Sequence, residues 1–65
     1  MDEATKTAWA ESVRDAYLRG DEEWMRQVCS SYEVALNGDG TVTINAAPKA
    51  RAESVTFTVV KTAYL

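Results

Sequence analysis

Histidine is absent from this 65-residue chain, cysteine and proline occur once each, and glycine occurs three times. Each shortage removes a class of answer. Without histidine the commonest general base is missing. Neither Cys29 nor any serine then has an evident activating partner, and no catalytic residue is expected. A single thiol cannot form an internal disulfide, and a zinc site needs further Cys or His ligands. Cys29 therefore reads as a small core hydrophobe in a reducing, cytoplasmic setting, and the expectation is no metal and no cofactor. Met1 is followed by Asp2-Glu3 rather than by a basic and then apolar run, which predicts no signal peptide. No apolar stretch approaches the roughly 20 residues that cross a bilayer, so no membrane partner is expected.

Basic residues are the next shortage. The net charge is −3, and it is unevenly spread. Residues 1–33 carry eight acids against four bases, whereas residues 34–65 carry two acids against three bases. A phosphate-binding surface needs clustered Lys and Arg, so the acidic first half argues against direct binding to nucleic acid or to an anionic membrane. It suits solubility or a basic partner.

What the chain does have is clear periodicity. Trp9, Val13, Ala16 and Tyr17 fall at i, i+4, i+7 and i+8, one face of a helix over about residues 3–19. Gly20 stops it, and Asp21 caps a second, shorter helix over about 22–30, with Trp24, Met25, Val28 and Cys29 on its buried side. Local ion pairs are expected between Glu11 and Arg14, Asp15 and Arg19, and Glu22 and Arg26. Period-two alternation then takes over. Tyr32, Val34 and Leu36 alternate with polar or small residues over about 31–36, and Val42 and Ile44 do so over about 41–46. Between them Asn37-Gly38-Asp39-Gly40-Thr41 forms a turn. Facing strand residues must share a side of the sheet, so Leu36 opposes Val42 only if five residues intervene, which a three-residue loop with Gly40 at positive φ provides. Pro48 argues against continuing that strand, and a loop leads to a third strand over about 54–64.

The expected fold is α+β: two N-terminal helices on one face of a three-stranded antiparallel sheet, ααβββ, in one domain. Its core would be Trp9, Val13, Tyr17, Trp24, Val28, Val34, Leu36, Val42, Ile44, Val55, Phe57 and Val59. Thr41, Thr43, Asn45, Thr56, Thr58 and Glu33 would face the other way. Strand order stays open, because the segment after Ala46 can return the third strand to either side of the hairpin.

Three short motifs have structural readings. Asn37–Val42 resembles the middle of an EF-hand loop, but Ala35 and Ala46 stand where the first and last carboxylate ligands belong. Arg19-Gly20-Asp21 spells an integrin tripeptide, yet Gly20 and Asp21 already have capping roles. The helical pair suggests a helix-turn-helix, but a recognition helix that begins Asp21-Glu22-Glu23 repels phosphate.

The acids of the two helices carry the functional hypothesis. Glu11, Asp15, Asp21, Glu22 and Glu23 can form an acidic surface that docks on a basic, nucleic-acid-binding protein and competes with its DNA. A short, acidic, cysteine-poor, single-domain α+β chain resembles the small phage-encoded inhibitors of host defence, the anti-CRISPR proteins, several of which are DNA mimics. The resemblance extends over the whole chain in size, charge and layout, and it includes no shared motif. It implies a non-enzymatic inhibitor whose partner is the DNA-recognition surface of a CRISPR surveillance complex in the host cytoplasm. The other reading is a structural or assembly module that self-associates through a sheet edge or the Thr-rich sheet face, as a homodimer rather than a monomer.

Overall fold

A computed structural model describes residues 2–51 and 53–60. The elements follow the order α1 (Glu3–Arg19), α2 (Glu22–Val28), β1 (Cys29–Leu36), β2 (Thr41–Pro48) and β3 (Val55–Val60). The part of the expected third strand beyond Val60 lies outside the described residues.

Both helices begin and end on residues suited to those positions. Asp2 caps α1, its carboxylate accepting from the Thr5 N–H at 2.8 Å. At the other end Gly20 turns left-handed at φ 73°, and the Gly20 and Asp21 N–H groups donate back to the carbonyls of Tyr17 and Ala16. Asp21 then caps α2 by accepting from the Trp24 N–H at 3.2 Å. The chain thus reverses in two residues. Trp9 and Trp24 meet with ring centroids 6.1 Å apart, and the Trp9 indole N–H donates to the Ala46 carbonyl at 3.2 Å, tying α1 to the sheet.

The sheet is a meander, β1-β2-β3, antiparallel throughout, which settles the strand order. Leu36 faces Val42 as the turn count requires. Gly38 and Gly40 both take positive φ, and the Asn37 N–H donates to the Thr41 carbonyl at 3.1 Å. Across the sheet Tyr32, Ala46 and Val55 form one row, Val34, Ile44 and Phe57 the next, and Leu36, Val42 and Val59 the third. These rows share the helix-facing side. On the far side run Glu33, Asn45 and Thr56, then Ala35, Thr43 and Thr58, the Thr56 hydroxyl donating to the Asn45 side-chain oxygen at 3.1 Å.

Two boundaries differ from expectation. α2 ends at Val28, and Cys29 and Ser30 belong to β1. The register shifts between Cys29 and Ser31, leaving Ser30 as the extra residue of a bulge. That insertion resets face parity: odd-numbered Cys29 turns inward although Ser31, Glu33 and Ala35 point away. β2 also runs on through Pro48, where a loop was expected. Proline is tolerated there because β3 pairing stops at Ala46, so Pro48 has one neighbouring strand and no β3 carbonyl awaiting an N–H. Its own carbonyl accepts from the Arg51 N–H at 3.2 Å in a following turn.

The core comprises Val13, Ala16, Met25, Cys29, Val42, Ile44, Ala46 and Val59, with Trp9, Tyr17, Leu18, Trp24, Val28, Tyr32 and Phe57 packed around it. Val34 and Leu36, expected in the core, are 38% and 76% exposed. Helix length explains this. Seven residues of α2 span about 10 Å, whereas the eight residues of β1 span about 26 Å. α1 lies towards β3, α2 packs on the start of β1, and the turn end of β1 is left uncovered.

Candidate functional site

The five acids singled out in the sequence do not form one surface. Glu11 sits beside Ala10, Arg14, Phe57 and Thr58, towards β3. Asp21 and Glu22 lie on the opposite flank, on the wall of a groove between the α1–α2 junction and β1. Asp15 is held by the neighbouring Arg14 guanidinium at 3.7 Å, and Asp21 by Arg19 at 3.5 Å in addition to its capping role. None of the three expected helical ion pairs forms within 4 Å; Arg14 and Arg19 turn instead to nearer acids. Glu11, Glu22 and Glu23 are exposed and make no ion pair among the described residues. Of these five, the acids free to meet a partner are thus Glu11 on one side and Glu22 and Glu23 on the other.

The groove encloses about 590 Å³. Ala16, Tyr17, Met25, Tyr32 and Val34 supply apolar lining, and Asp21, Glu22 and Arg26 supply charge at its walls. Its position follows from the sequence. Gly20, left-handed at φ 73°, ends α1 and lets α2 begin two residues on, and the short α2 leaves Val34 in the middle of β1 part exposed. Burial pushes the Tyr32 hydroxyl above its usual range, with Tyr17 nearby acting in the same direction. Cys29, also in the groove lining, is buried, with Sγ 4.0 Å from the Met25 sulfur; burial raises its thiol, and the Lys49 charge opposes this to a lesser degree. A protonated, enclosed thiol is a poor nucleophile.

Other residues with a possible chemical role are engaged locally. Asp39, the acid of the EF-hand-like turn, accepts from both the N–H and the hydroxyl of Thr41, which hold its carboxyl below the usual range. Asn37 bridges to the Thr41 and Thr43 hydroxyls at 2.9 and 3.1 Å. No helix among the described residues is long and apolar enough to cross a membrane.

Val34 and Leu36 are the surface that sequence reasoning missed, because alternation alone assigned them to the core. The available signal was the mismatch in length between a two-turn helix and an eight-residue strand. Together these features define a small α+β domain with one acid-rimmed groove beside an open sheet edge. No family model, curated protein or solved structure matches the chain.

Proposed function

We propose that this chain is a small, non-enzymatic inhibitor that binds the basic, nucleic-acid-binding surface of another protein, in the manner of an anti-CRISPR DNA mimic acting on a CRISPR surveillance complex. The observation that carries this reading is the pair Glu22 and Glu23 at the start of α2. Both are exposed and unpaired among the described residues, and they stand next to an apolar-lined groove flanked by Asp21. Adjacent free carboxylates attract Lys and Arg, while the groove accepts the apolar stem of a basic side chain. Asp21 adds negative charge at the same rim, but its Arg19 contact and cap make it a positioning residue more than a contact. Glu11, beside Phe57 and Thr58 of β3, would form a separate contact, and Asp15 is engaged by Arg14.

The test is a titration of the protein into purified CRISPR surveillance complexes, scored by target-DNA binding on native gels at low and high salt. Wild type should displace DNA, and E22K/E23K should weaken that inhibition by at least about ten-fold, with salt doing the same to wild type. No inhibition by wild type, inhibition that survives the double reversal, or inhibition that strengthens with salt overturns the reading.

A further inference from the structure

β1 is an edge strand, since β2 occupies its other side and β3 lies beyond β2. Natural edges are ordinarily blunted by Lys, Pro, bulges or shortness. Past the bulge at Ser30, β1 has none of these defences: Ser31 to Leu36 pairs regularly with β2 and carries one charge, Glu33. The direction of its free backbone groups follows from the turn. The Asn37 N–H donates to the Thr41 carbonyl, so Asn37 and Thr41 are a bonded pair. Antiparallel alternation makes Ala35–Thr43 and Glu33–Asn45 bonded pairs too. The N–H and C=O groups of Tyr32, Val34 and Leu36 therefore point out of the open edge. The side chains of these same three residues lie on the helix-facing side, where Tyr32 packs against the core and Val34 and Leu36 are left 38% and 76% exposed. Backbone hydrogen-bonding capacity and apolar surface thus coincide on one five-residue segment.

That segment is self-complementary. A two-fold axis at Val34 sets two β1 strands antiparallel with Val34 against Val34, Tyr32 against Leu36 and Glu33 against Ala35. Each outward-pointing residue then meets another, and every apolar side chain of the row has an apolar neighbour. An axis at Glu33 would also let Tyr32 and Val34 meet, but it sets two carboxylates face to face and leaves Leu36 opposite Ser30 at the bulge, which rules against it. We propose that β1 pairs with β1 of a second copy in this Val34-centred register, making a continuous six-stranded sheet. Because Tyr32 and Val34 also line the groove, the second copy closes its open side. This dimer does not depend on the acidic-surface reading, and E22K/E23K should leave it intact.

Sedimentation equilibrium over a wide concentration range tests it. Wild type should approach twice the 7.2 kDa monomer mass. V34P removes one outward N–H that β2 does not use, and L36K charges a side chain that is already exposed; each should raise the dimer dissociation constant at least about ten-fold. Circular dichroism identifies any variant that has merely unfolded, and L36K, altered at an exposed site, keeps the test decisive if V34P does. Register is read by oxidising V34C and E33C, each in a C29A background: V34C should cross-link readily and E33C poorly. A protein that stays monomeric at millimolar concentration overturns the pairing and leaves the edge to a strand from another protein. A dimer unaffected by L36K but broken by T58K overturns it in favour of the Thr-rich face. Faster cross-linking of E33C than of V34C overturns the register.

Discussion

Asp21 shows how a single residue can be misassigned when charge is counted before hydrogen bonds. Its carboxylate accepts the Trp24 N–H, faces the Arg19 guanidinium at 3.5 Å, and lies on the groove wall. The first of these is structural: an uncapped α2 of seven residues would leave its first-turn N–H groups without a partner. Reversing Asp21 together with Glu22 and Glu23 would confuse lost binding with lost folding, so the binding test leaves it in place. D21A is expected to lower stability by about 1 kcal/mol, the usual cost of an N-cap deletion. E23A at the exposed neighbour should change it by less than about 0.5 kcal/mol. Urea unfolding followed by tryptophan fluorescence distinguishes the two, since Trp24 donates the capped N–H and its ring lies 6.1 Å from that of Trp9. Equal effects from D21A and E23A would mean that the cap contributes nothing beyond its charge.

At the scale of elements, what depends on neighbours in sequence was legible and what depends on relative length was not. The α1 boundaries, the cap at Asp21, the Gly40 turn and the Leu36–Val42 register all follow from residues within a few positions of one another. The bulge at Ser30, the passage of β2 through Pro48 and the exposure of Val34 and Leu36 do not. They arise because Pro48 has one neighbouring strand, and because a short α2 must cover a longer β1. The acidic site divided for the same reason. Helical spacing shows which acids share one helix face, but not that α1 leans towards β3 while α2 packs on β1. The turn has a pH signature of its own. Asp39 is held below its ordinary carboxylate range by the Thr41 hydroxyl and N–H, and Asp2 by the Thr5 hydroxyl and N–H at the start of α1. A lowered folded pKa adds stability above the unfolded value, near 3.8 for these aspartates, and that stability is lost as pH falls through the folded value. The thermal midpoint should therefore drop between neutral pH and the acid limit, and D39N should shrink the drop by lowering the midpoint at neutral pH. A variant whose pH profile parallels wild type would mean that the turn carboxylate is not linked to folding.

The whole molecule rests on a small core. Among the described residues the largest fully buried side chains are Ile44, Val13 and Val42, and Ala16, Ala46 and Ala47 fill much of the remaining interior. At roughly 0.05–0.15 kcal/mol per residue, a chain of this length has about 3–10 kcal/mol of stability to lose. Ile44 is the position where that total is most exposed to mutation. It lies in the middle strand, facing Val34 on one side and Phe57 on the other, with no solvent contact, so nothing nearby can collapse cheaply into the space it leaves. I44V should cost about 0.5–1.5 kcal/mol and leave the protein folded; I44A should cost about 2–5 kcal/mol, a large share of the whole. Leu36 is a similar side chain on the same face of the sheet, and L36A should cost the isolated chain less than about 1 kcal/mol, because that side chain is already in water. Urea titration of the three variants at low concentration, where association is suppressed, checks the ordering. If L36A proved as damaging as I44A under those conditions, the turn end of β1 would have to be covered within the single chain, and its open edge could not receive a second copy.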